Sequence, residues 1–259
     1  YYKDKLIISI AFIGFILSDV LVVISGDRTA AFYLLISSLI IVCLTKRFQL
    51  IRLITIVVSS FLILIIIINS PSITERIYSK TIRDISKNHQ SELLQFEDLN
   101  FFNKFYFFTS THHGYLLTSL EMFKYNPFFG VGPKLYRQEC NKDIYKIDGE
   151  NYCNTHPHNT YLQLLAETGL IATLLVFSLF LFLIFLFLNQ LYCKFFKSNH
   201  ILSDPLICFL TCVFITLFPF IPTGNFFSNW SNAIYYLPLG FIMYEITKQG
   251  KNENIINNK

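Results

Sequence analysis

Long blocks of apolar residues alternate along this chain with shorter polar intervals. "LITIVVSSFLILIIII" and "LIATLLVFSLFLFLIFLFL" exemplify the blocks. Six segments carry the pattern, at roughly 6–24, 30–45, 52–68, 170–188, 205–220 and 233–246. Each is read as a helix that crosses or nearly crosses a bilayer, because inside lipid only a helix satisfies its own backbone groups. The second and sixth are short for a full span, and the fifth has Pro219 near its end. The predicted fold class is therefore all-α and polytopic. Three spans fall within 1–68, a large loop occupies 69–169, and three spans with a polar tail fill 170–259.

The loop has structure of its own in the pattern. In "TSTHHGYLLTSLEMFKYNPFFGVGP" (109–133), Leu116, Leu120 and Phe123 make the apolar stripe of an amphipathic helix. Ser110 or Thr111 can cap its start, and "NP" with "GVGP" stops it. Further on, Pro157 forces His156 into an extended conformation. Asn159 or Thr160 then caps "YLQLLAE", a short helix at the membrane interface that Gly169 interrupts. Gln163 and Glu167, four residues apart, share one face of it. Residues 69–108 carry aromatic side chains that either grip a ligand or pack, and the pattern does not choose between these.

Composition supports the membrane reading. Only 15% of residues are charged, against about a quarter in soluble domains. The net charge of +4 says little about nucleic acid, because the short-loop cations have a topological use. Lys3 and Lys5; Lys46, Arg47 and Arg52; Lys194 and Lys197; and Lys248 and Lys251 all fall on one side. The positive-inside rule makes that side cytoplasmic, both termini included. "SGDRTA" (25–30), the long loop and "IPTGNFFSNWSN" (221–232) then face outward. The loop is electrically balanced, with ten Lys/Arg and ten Asp/Glu between 69 and 158, so it makes no polybasic membrane patch. The opening "YYKDKLIISI" has neither an initiator methionine nor a cleavable signal pattern, and is read as the continuation of a longer protein.

Cysteine placement follows the same map. Cys43, Cys193, Cys208 and Cys212 fall in or near spans, whereas Cys140 and Cys153 lie in the outward loop. Those two are expected to form a disulfide enclosing twelve residues, contributing about 2–4 kcal/mol locally.

Chemistry-bearing residues concentrate in the outward intervals. Arg28 sits at the start of the second span, where its guanidinium fork and the free helix N–H groups both favour an anion. Snorkelling to lipid headgroups is the plainer use of the same residue. Asp27 either orients Arg28 or partly neutralises it. His112 and His113 fall in a first helical turn, whose field favours the neutral ring; for His113 an exposed helix start without function is the simpler reading. His156 and His158 flank Pro157 at the lip of the membrane. A metal site built from these four histidines is disfavoured, because no third-ligand pattern accompanies them. No nucleotide-binding loop and no assignable carboxylate pair for glycoside hydrolysis is present.

"SGDRTA", "EMFKYNPFFGVGPKLYRQEC", "HPHNTYLQLLAETGLIA" and "IPTGNFFSNW", in that order, resemble the C-terminal half of the bacterial O-antigen ligase and polymerase family. "HNTYLQLLAETGLIA" is the strongest piece, and the resemblance covers nearly the whole chain. It implies a polytopic inner-membrane glycosyltransferase with its active site on the periplasmic face. The implied donor is an undecaprenyl-diphosphate-linked glycan, the acceptor lipid A–core, and the surroundings membrane lipids; no cofactor, metal or nucleic acid is implied. Polymerases of the family use another carrier-linked glycan as acceptor, and related members glycosylate protein hydroxyls. By the resemblance, Arg28 matches the arginine thought to hold the donor diphosphate. His158 matches the histidine proposed to activate the acceptor, and His156 precedes it as in many members. Where the family carries a second loop arginine, fifteen residues before Pro127, this chain has His112. The anion-binding part then passes to His112 or to Arg137 in "KLYRQEC". The competing class is a transporter that binds a lipid-linked glycan without reacting. The scarcity of charge inside the spans, with Asp19 and Glu245 as exceptions, speaks against it.

Overall fold

The computed structural model describes residues 5–47, 49–71, 75, 110–147 and 152–257. Among these there is no strand. The described helices, in chain order, are α1 (Lys5–Ile24), α2 (Arg28–Leu44), α3 (Gln49–Asn69), α4 (Ser110–Tyr125), α5 (Tyr136–Glu139), α6 (Thr160–Phe196), α7 (Asp204–Thr216) and α8 (Asn229–Asn257). Three of them, α1, α3 and α6, are long and apolar enough to cross a bilayer, while α2 and α7 are shorter apolar helices. This is a membrane protein. The expected sixth span falls inside α8, which carries Pro238. The expected fifth, 205–220, stops as a helix at Thr216. The carbonyls of Leu217 and Pro219 instead accept from Tyr161 Oη and Asn159 Nδ2, both at 2.7 Å. The part of the loop between 76 and 109 lies outside the described residues.

The chain divides into two compact units. In the first (Tyr1–Lys80, Leu183–Ile215, Leu237–Lys259), α1, α2 and α3 pack around a polar cluster. Arg52 pairs bidentately with Asp19, at 2.9 and 3.0 Å, and both are about 95% buried. Ser38 and Thr55 accept from the same guanidinium, and Ser59 donates to Asp19 at 2.9 Å. This corrects the placing of Arg52 among the loop cations. α3 begins at Gln49, one turn before the apolar block, and the carboxylate of α1 draws the guanidinium inward. Lys194 reaches the last turn of α2, donating to the carbonyls of Cys43 and Thr45 at 2.6 and 3.0 Å. Asp204 accepts from the N–H groups of Lys46 and Arg47. These bonds hold the α2–α3 turn and the α6–α7 turn together.

The second unit (Thr81–Phe182, Thr216–Tyr236) contains a small core of Met122, Tyr136, Cys140, Tyr145 and Ala166, with Val131 and Cys153 against it. Cys140 and Cys153 are disulfide-bonded there, with Cα atoms 5.3 Å apart. The start of α6 is capped by Asn159, whose Oδ1 accepts from Tyr161 N and Leu162 N. At Gly169 the helix breaks, with φ of 72°. The break exposes backbone groups, and "NPFFGVG" covers them. Val131 N and Gly132 N donate to the Ala166 and Glu167 carbonyls at 2.9 and 2.8 Å. Leu170 N, the first donor beyond the break, donates to Pro127 O at 2.8 Å. Contact is so close that a Cβ on Gly130 would lie 2.3 Å from Glu167 C, and one on Gly169 would lie 2.3 Å from Phe128 C. Glycine is required at both positions by space and by positive φ.

Candidate functional site: a histidine cluster beside a fixed helix start

Gln163 and Glu167, both 1% exposed, fix the first turns of α6 to their surroundings. Glu167 accepts from Tyr136 N at 2.8 Å and from Gln163 Nε2 at 3.1 Å. Gln163 also donates to Asn225 Oδ1 and accepts from Phe226 N, at 2.8 and 2.9 Å. One residue earlier than Asn159, His158 takes a left-handed backbone conformation, φ 55°. For a non-glycine residue this costs about 1–3 kcal/mol and persists only where neighbours hold it. Here Thr223 N donates to its carbonyl at 2.8 Å, and Thr160 and Thr223 share a hydroxyl contact at 3.0 Å. The 153–169 and 221–228 segments, both expected to face outward, therefore meet.

The strained residue sets its ring among aromatic neighbours. The centroid of His158 lies 4.2 Å from that of His156, 5.4 Å from His112 and 5.6 Å from Tyr115. His112 and Tyr115 belong to α4, and Gly114 between them leaves room for the ring of Tyr152. The structure thus brings together His112, His156 and His158, three of the residues singled out from sequence. His113 is buried, which corrects the expectation of an exposed helix start there. Arg137 is exposed on α5. Arg28 is exposed at the first position of α2, in the other unit. Asp27 caps that helix, accepting from Thr29 N and Ala30 N at 2.8 and 3.2 Å. Two donors expected to be open to an anion are therefore occupied by its carboxylate. Among the described residues no group of three His, Cys, Asp or Glu is arranged to hold a metal ion.

Asn154 was not singled out from sequence, yet it sets the protonation pattern. Its Oδ1 accepts from Thr155 N at 2.7 Å, which turns its amide nitrogen towards Tyr115 Oη at 2.9 Å and His158 Nε2 at 3.2 Å. An amide nitrogen only donates, so Nε2 of the neutral ring is the acceptor and its proton sits on Nδ1. Burial lowers the pKa of His158, His112 and His156, and charge on His158 lowers the last two further. The expected direction from the helix field is reproduced, but burial is the main cause. The Thr223 backbone opposes the shift of His156. His112 Nδ1 and His156 Nε2 are buried without a hydrogen-bond partner among the described residues. Burial thus favours the neutral form of all three rings.

The cluster's elements fall in a segment shared with known proteins. The family model described as O-antigen ligase matches residues 12–177, well over half of the chain. No curated protein and no solved structure matches it. The match runs from α1 through Arg28 and the "NPFFGVG" turn to the histidines and the break at Gly169. With apolar helices before and after that cluster, the chain is a membrane protein that belongs to the O-antigen ligase family.

Proposed function

We propose that the protein is a glycosyltransferase of the periplasmic face of the bacterial inner membrane. It transfers a glycan from an undecaprenyl-diphosphate carrier to lipid A–core, with six spans in this chain. What carries the reading is His158, a neutral imidazole with an acceptor Nε2 on a strained loop. In the reaction a hydroxyl oxygen of the acceptor bonds to the anomeric carbon of the donor. The bond from that carbon to the phosphate oxygen breaks, and the electron pair leaves with the lipid diphosphate. The hydroxyl proton passes to His158 Nε2 in place of the Asn154 contact. His156 borders the same ring and shares the protons of the cluster.

The leaving group is already good, so the site needs positive charge more than acid catalysis. The resemblance assigns that charge to Arg28. Burial favours the neutral form of His112, so the second charge is assigned to Arg137. The test is reconstitution of the full protein with a lipid-diphosphate glycan and lipid A–core. Labelled glycan on lipid A–core is expected. A lengthened carrier-linked glycan would make it the polymerase, and no transfer to any acceptor would refute the enzyme.

A further inference from the structure

Phe128 and Phe129 are 61% and 78% exposed, although they flank a tight backbone junction. Pro127 O accepts from Leu170 N, and the Phe128 backbone lies against Gly169. The backbone that carries the two rings is therefore fixed beside the first residues of the apolar stretch of α6. There Leu170, Ile171, Leu174 and Leu175 are themselves 37–67% exposed. An 18-residue apolar stretch of mean hydropathy 3.0 within α6, with such a surface, suits a covering of acyl chains.

We propose that the Asn126–Gly132 turn is a membrane-seated anchor. Its two phenylalanines insert into the outward leaflet at the level of Leu170 and Ile171, and their partner is lipid acyl chain just beneath the headgroups. The backbone of the turn suits that place. Irregular chain near hydrocarbon must satisfy its donors internally. Gly130, Val131 and Gly132 donate within the protein and Pro127 has no donor, which leaves the N–H groups of Phe128 and Phe129 to be met at the headgroup level. Asn126, at the base of the turn, donates back to the end of α4. Apolar rings on such a scaffold are what interfacial anchors present to the acyl boundary.

The anchor has a consequence for the histidines. Residues 160–168 are the helical stretch between the anchored break and His158. At 1.5 Å per residue that stretch is about 14 Å long. The turn, hydrogen-bonded to both sides of the break, thus limits how far the cluster can stand from the leaflet. The proposal rests on α6 as a membrane helix and not on the proposed reaction.

The test places a tryptophan at the anchor. Trp230, the single tryptophan of this chain, is replaced by Phe, and Phe129→Trp is introduced. The full protein is reconstituted in phosphatidylcholine–phosphatidylglycerol nanodiscs, with and without lipids brominated near the top of the acyl chain. The expected emission is blue-shifted relative to an Ile144→Trp protein, loses most of its intensity to brominated lipid, and is little affected by iodide. Quenching by iodide and not by brominated lipid would place the pair in water and overturn the proposal. Protection from both would place another protein segment over the rings and overturn it equally. Should Phe129→Trp fail to fold, Phe128→Trp carries the same reading.

Discussion

Alanine at Gly130 or Gly169 tests the junction that holds the site in place. At either position the new Cβ would lie 2.3 Å from backbone atoms of the facing segment, so no rotamer change can make room. A residue with a side chain also pays about 1–2 kcal/mol for the left-handed conformation. If the turn moves away, the bonds from Val131 N and Gly132 N to the Ala166 and Glu167 carbonyls are lost. At about 1 kcal/mol each, the sum is roughly 3–4 kcal/mol. For a chain of this size that corresponds to about 6–16 °C in the unfolding midpoint. The assay is thermal unfolding of the purified protein in detergent, with Gly14→Ala as control, since a Cβ there meets nothing within 4 Å. The control should unfold at wild type or up to about 4 °C above it, since alanine in a helix interior is favoured over glycine by about 0.5–1 kcal/mol. Gly130→Ala unfolding within about 2 °C of the control would refute the lock.

Other consequences are equally open to measurement. Burial lowers the folded pKa of all three clustered histidines, so the unfolded chain binds more protons between those values and about 6.5. Stability should therefore fall as pH drops through that window, and transfer activity should fall with it, its midpoint lying below 6.5; a midpoint at or above the ordinary histidine value would contradict the buried, neutral cluster. Asn154→Asp puts a carboxylate beside His158 Nε2 and should move the activity midpoint upward, whereas an unchanged profile would remove Asn154 from its positioning part. Asp19→Asn leaves Arg52 buried without its partner and should cost about 3–5 kcal/mol, most of it recovered in Asp19→Leu/Arg52→Met; a double variant as unstable as the single would show that the pair does not act as a unit.

Much of this was legible in the chain itself. The apolar blocks became helices, the asparagine before "YLQLLAE" became its cap, and Gly169 became a break. Gln163 and Glu167 do meet across one helical turn. What escaped depends on partners distant in sequence. Asn154 reaches Tyr115 across 39 positions, and Arg52 reaches Asp19 across 33. A periodic pattern carries no mark of either pairing. The junction of "NPFFGVG" with α6 escaped for another reason: its bonds are backbone to backbone, and only two glycines record it in the sequence. Arg52 misled because an arginine just ahead of an apolar block looks the same whether it faces water or a carboxylate on a neighbouring helix.

Transfer by the purified His158→Ala protein tests the central claim most directly. With a lipid-diphosphate-linked glycan and lipid A–core supplied, the account predicts a rate lower by about 10²–10⁴-fold while the unfolding midpoint stays near that of wild type. Transfer at the wild-type rate by a folded His158→Ala protein would contradict it.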